Sequence, residues 1–148
     1  MARRVKRSGL LLGPALVLDA QGLSLLADDD RRITMLLDLA TREGFIPVIS
    51  AVTIVEQRRN GTARQRLAWV RSRLTVVPLI EEIADAAANL LDVTGLDGHE
   101  CVVDAVVVAT AASVSGPAKV ASSDGSHVPA LCKAASTGRP SAVTWVHV

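Results

Sequence analysis

Four carboxylates stand where the chain gives them chemical work: Asp19, Glu56, Asp104 and Asp124. Asp19 closes the apolar run LVLD, and Asp124 closes KVASSD. In open α/β sheets ligands bind beyond the carboxyl ends of strands, and both acids fall there. One acid after a strand is more often a helix cap or turn former. Two at equivalent ends of different strands point to a site. Asp104 sits inside VVDAVVVATAA, which reads as a helix apolar on nearly every face and therefore buried. A buried carboxylate without a partner costs several kcal/mol. Its helix offers no Lys or Arg, so a metal ion is the economical partner. The alternative is an internally hydrogen-bonded aspartate.

Glu56 ends ISAVTIVE, just ahead of an arginine-rich stretch, and equally fits a solvated glutamate paired with Arg59 or Asn60. Glu100 stands one helical turn before Asp104 and so shares its face, a further candidate metal ligand or equally a rim residue. Oxygen-only ligands select hard cations such as Mg2+ or Mn2+. His99, His127 and His147 make no zinc pattern with the cysteines. His127 lies three residues after Asp124 and can reach the site, though a surface polar role is the expectation. Of Asp28, Asp29 and Asp30, the last reads as a helix cap and the others as solvent charges. The chain lacks GxxxxGK[ST], GxGxxG, GxSxG, CxxC and DxDxT. Phosphate-loop, dinucleotide, serine-hydrolase, thiol-redox and aspartyl-phosphatase chemistries are thereby removed.

Short β-rich runs alternate with longer helical stretches, the pattern of an α/β fold with a mostly parallel sheet of about five strands. Strands are expected at 15–18, 45–49, 75–79, 119–122 and 142–148. Ala15–Leu18 is apolar throughout, as befits a strand covered on both faces. Helices are expected at 30–42, from Ser50 as N-cap through Glu56 towards Arg59, after a Thr62 cap, and at 81–93, 99–114 and 126–135.

With 148 residues, one domain with one sizeable core is expected. Hydrophobic residues at 49% and charged at 21% argue against disorder. Aromatics at 2%, with no Tyr, argue against base-stacking platforms as a way to hold nucleic acid. The net charge is +1, so its distribution says more. Arg3, Arg4, Lys6 and Arg7 form a basic tail over residues 1–14, ahead of a domain over 15–148. Arg58, Arg59, Arg64, Arg66, Arg71 and Arg73 lie in an acid-free stretch that can grip phosphates or form a solvated helix face. The basic start followed by GLLLGPALVL imitates a secretory signal, but Pro14, Asp19 and the missing cleavage pattern favour a tail leading into a buried strand. No apolar run reaches membrane-spanning length. Cys101 and Cys132 imply no disulfide framework, which suits a reducing cytoplasm.

LVLDAQGL, ISAVTIVEQRR, GHECVVDAVVVATA and KVASSD with its VPALCKAA helix together resemble the PIN domain, most closely the VapC-type toxins of bacterial toxin–antitoxin pairs. The resemblance covers the chain from Ala15 onward. It implies Mg2+ or Mn2+ held by Asp19, Glu56, Asp104 and Asp124, and endoribonuclease cleavage that leaves a 5′-phosphate and a 3′-hydroxyl. Ser122 and Ser123 resemble the small hydroxyl residues before the last acid and, with Arg58 and Arg59, are candidates to hold RNA. It further implies a cognate antitoxin and a homodimer. Phe45, Trp69 and Trp145 are candidates for the antitoxin contact, though core packing is expected of each. Gln21 departs from the family's small residue after the first Asp, and His127 lies where relatives often carry another acid. Other readings of the same acids are a non-toxin RNA- or DNA-processing nuclease, and a PIN-like domain that binds RNA or protein without cleaving.

Overall fold

The first strand sets the architecture, because all four of its residues are buried and can be buried only between two layers of helices. The computed structural model describes residues 13–148; the basic tail expected over 1–14 lies almost entirely outside the described residues. The strands are β1 (Ala15–Leu18), β2 (Ile46–Ser50), β3 (Thr75–Val77), β4 (Ala118–Ser122) and β5 (Val143–His147). They form one sheet in the order β3-β2-β1-β4-β5, with every pairing parallel. The helices are α1 (Ala20–Ala27), α2 (Arg31–Arg42), α3 (Ala51–Glu56), α4 (Gly61–Arg71), α5 (Glu81–Thr94), α6 (Val102–Ala112) and α7 (Val128–Ser136).

Side-chain alternation along β1 splits the core in two. Ala15 and Val17 pack with Ile83 and Leu90 of α5, Val107 and Val108 of α6, and Val128 and Leu131 of α7. Leu16 and Leu18 pack on the other face with Leu23 of α1, Ile33 of α2 and Leu67 and Val70 of α4. Because β1 pairs with β2 on one side and β4 on the other, the sheet reverses direction there. Such a switch point opens a crevice beyond the carboxyl ends of the strands.

Several expected boundaries move for local reasons. The stretch 20–27, for which no element was expected, is helix α1, capped by the Asp19 side chain. Thr62 does not cap α4: the helix begins at Gly61, and Asn60 precedes it without a side-chain cap. The helix expected from His99 begins at Val102, because Asp97 accepts the backbone N–H of His99 at 2.7 Å and of Glu100 at 3.1 Å and holds them in a turn. Glu100 therefore lies outside the helix of Asp104. No helix among the described residues is long and apolar enough to cross a membrane.

Candidate functional site

Asp19 and Asp124 arrive at the switch point from neighbouring strands. Leu18 of β1 is paired with Ala121 of β4, so Asp19 emerges beside Ser122, its backbone N–H bonded to the Ala121 carbonyl at 3.1 Å. The Asp19 carboxylate accepts the Gly22 N–H at 2.8 Å and so caps α1 while facing the crevice. Ser122 is fully buried; its hydroxyl accepts the Asp124 N–H at 3.0 Å and also bonds Asp19. One buried hydroxyl thus fixes both acids.

Asp124 is held by its own loop. Its Oδ1 accepts the backbone N–H of Ser126 at 2.7 Å and of His127 at 2.9 Å, and its Oδ2 lies 3.0 Å from His127 Nδ1. Trp145 braces this loop from β5, donating Nε1–H to the Ser122 carbonyl at 3.0 Å and lying under Gly125. Asp104 enters from the first turn of α6, where a carboxylate is favoured by the helix dipole. Glu56 enters from the last residue of α3.

The four acids feel one another's charge. Burial raises the Asp104 pKa, and Asp124, Asp19 and Glu56 add to it, taking it from 3.8 to about 6. Burial also raises Asp19, opposed by hydrogen bonds from Gly22 and Ser122, with Asp124 pushing further up. Glu56 is raised by burial and by Asp19. Asp124 alone is lowered: burial pushes it up, but the N–H donors of His127 and Ser126 and the His127 ring outweigh that. Burial and the neighbouring acids thus push Asp104 up, while the donors of its own loop hold Asp124 down.

Donor atoms of Asp104, Asp124 and His127 all lie within 4.8 Å of one another. Asp19 and Glu56 stand outside this tightest cluster and couple to it through the field. His127, expected at the surface, is instead a partly buried member of the centre. Glu100 is a rim acid, its Oε1 3.9 Å from His127 Nε2 and its side chain 70% exposed. Among the described residues none of the four central acids is ion-paired with Lys or Arg. A set of oxygen donors whose charges repel, with one imidazole beside them, fits a divalent cation.

The remaining candidates separate. Arg58 is exposed and lines a groove of about 470 Å³ with Arg64 and Arg71 over an apolar floor of Leu23, Ile54 and Leu67. Arg59 borders the groove, but its guanidinium is spent on Asp28 at 2.8 Å and on the Ser24 hydroxyl at 2.6 Å. Ser123 is exposed beside the site. Trp69 is 57% exposed with Arg73 over its ring, against the core role expected of it. Phe45 is half-buried with Lys119 over its ring, and Trp145 is the loop brace described above.

Two contributors escaped sequence reasoning. Gly22 lies against the Leu18 Cβ and the Ala121 carbonyl, where an added Cβ would meet them at 3.3 and 3.4 Å. Its only signal was a glycine one turn after an acid. Thr53, fully buried on α3 one turn before Glu56, has a hydroxyl with no partner among the described residues. Nothing in ISAVTIVE marks it.

The all-parallel five-stranded α/β sheet is the one the sequence pattern led us to expect, and its PIN-like class, implied by the resemblance, is the fold of the solved structure described next. No family model and no curated protein matches the chain. Among solved structures, it is similar to a chain of the crystal structure of VapBC2 from Rickettsia felis bound to a DNA fragment from their promoter. That likeness has a TM-score of 0.62 over 90% of this chain and 98% of the other, at 11% identity, and so shows the fold.

Proposed function

We propose that the chain is a metal-dependent endoribonuclease that hydrolyses RNA phosphodiesters, and that it serves as the toxin of a type II pair restrained by a cognate antitoxin. One observation carries this reading: Asp104 and Asp124 lie with His127 within 4.8 Å of one another, Asp19 and Glu56 add their charge to Asp104, and among the described residues none of the four acids is ion-paired with Lys or Arg. The resemblance of the four acidic blocks to VapC-type toxins, and the shared fold with a chain of VapBC2, support it further.

Asp19, Asp104 and Asp124 would hold Mg2+ or Mn2+, with Glu56 at the edge of the set. Such an ion supplies Lewis acidity and a bound water of lowered pKa. Asp104 would hold the cation as a carboxylate, since proton and cation compete for the same oxygens. Ser122 bonds both Asp19 and Asp124 and so keeps the two acids in register. Asp124, already anionic, orients its charge through three donors from its own loop. Arg58, Arg64 and Arg71 line an adjoining groove suited to the RNA backbone, because guanidinium pairs bidentately with phosphate. A small partner that silences the enzyme would place a Lys or Arg among the acids. Assembly as a homodimer belongs to the same reading.

The test is cleavage of single-stranded RNA by the purified chain in Mn2+, in Mg2+ and in EDTA, with end-group analysis. We expect metal-dependent cuts bearing 5′-phosphates, and growth arrest on expression that is relieved by co-expressing the neighbouring small gene. Absence of cutting in either metal overturns the nuclease reading.

A further inference from the structure

His127 was expected to be a surface polar residue, yet its ring meets Asp104 and Asp124 within 4.8 Å. We infer that His127 supplies a nitrogen ligand to the acidic centre and makes it a site for manganese, or a later transition metal, in preference to magnesium. The inference deepens the metal-dependent reading above and rests on it.

The ring faces the acids through Nδ1, which lies 3.0 Å from Asp124 Oδ2, about the spacing of two neighbouring ligands with bonds of about 2.1 Å on one ion. Nε2 lies on the other side of the ring, 3.9 Å from Glu100 Oε1. Bonds of about 2.1 Å set opposite ligands about 4.2 Å apart, so a 4.8 Å spread needs only a small contraction.

The donor chemistry decides which ion benefits. Mg2+ prefers oxygen and keeps several of its waters, whereas a nitrogen donor favours the first-row transition metals, increasingly along the affinity order that runs from Mn2+ to Cu2+. A fourth carboxylate at position 127 would serve magnesium as well as manganese. An imidazole does not. The competing role for His127, neutralising the acids as a cation, leaves its nitrogen protonated and off the metal.

Pulsed electron paramagnetic resonance of Mn2+ added to the wild-type chain separates the two roles without any variant. We expect 14N modulation from a directly bound imidazole. In His127→Asp the nitrogen signal should vanish, and the ratio of Mg2+ to Mn2+ dissociation constants, from competition titrations, should fall about tenfold. Bound Mn2+ without nitrogen coupling, coupling that survives in His127→Asp, or an unchanged ratio each overturns the inference while leaving the metal-site reading intact. A wild-type chain that binds no Mn2+ at all overturns both.

Discussion

Helix α1 has an acid at each end, and the chain treats the two ends in opposite ways. At the carboxyl end, Asp28 meets Arg59 at 2.8 Å, and Asp29 lies 3.7 Å from Arg66. The same arginines bond the Ser24 and Ala27 carbonyls, where a cation complements the helix dipole. At the amino end, Asp19 lies in the field of Asp104, Asp124 and Glu56, and no Lys or Arg among the described residues is paired with them. Charge balanced within the chain holds the fold together. Charge gathered and left unbalanced costs stability, and its retention points to a counter-ion from outside.

The sharpest break of this contrast is Asp104→Asn. It removes one charge from the unbalanced end while keeping shape, and should lower RNA cleavage in Mn2+ by about a hundredfold or more. Single-turnover rates on a labelled RNA check it.

At the balanced end, Arg59→Ala should instead destabilise the fold by about 1–2 kcal/mol, since its partly buried guanidinium bonds both a carboxylate and a hydroxyl. Mn2+ affinity should be unchanged. Urea unfolding with a parallel metal titration reads both, and an effect on affinity would erase the distinction between the two ends.

Acidity sharpens the comparison further. Asp104 is raised in the folded state, so the fold binds its proton more tightly than the unfolded chain does. Its contribution is fully present below about pH 4 and is lost as pH rises through about 6. A rise from 3.8 to about 6 corresponds to roughly 3 kcal/mol, which solvent screening at a half-buried position reduces to about 1–2 kcal/mol. Metal-free stability should therefore fall across that window in the wild type, and the fall should shrink in Asp104→Asn. Denaturation series in EDTA from pH 4 to 7 measure it.

The smallest effect separates capping from charge. Asp30 caps α2 through the N–H groups of Arg32 and Ile33, and Asp30→Ala should cost about 1 kcal/mol with no change in metal binding. Asp19→Asn keeps a capping oxygen but removes the charge, so metal affinity should drop while stability holds. Thermal melts of both variants, with and without Mn2+, show the two effects apart.

Much of this was legible in the chain because apolar runs and their punctuation are local. ALVL reads as a doubly covered strand at the residues that form β1, and Ser50 caps α3 as its type suggests. Asp19, Asp104 and Asp124 stood out because each interrupts or ends an apolar segment. What stayed hidden depended on tertiary geometry. Arg59 looked like a phosphate ligand until the fold carried Asp28 and Ser24 to it, 31 and 35 residues away in sequence. His127 looked like surface until the turn after Asp124 folded its ring back onto the acid. Helix α1 went unread because its cap is itself a site residue, and AQGLSLLA has no polar face to betray a period.

The central claim is that the acids at the switch point are kept for a divalent cation, and Mn2+ titration during thermal unfolding tests it most directly. A cation that binds only the folded centre stabilises it by about 2.7 kcal/mol at a hundredfold excess over its Kd, or about 8 °C for a chain of this size. The wild type should show that rise, and Asp104→Asn should show little of it while melting no lower than the wild type in EDTA. An unchanged wild-type midpoint through millimolar Mn2+ would contradict the claim.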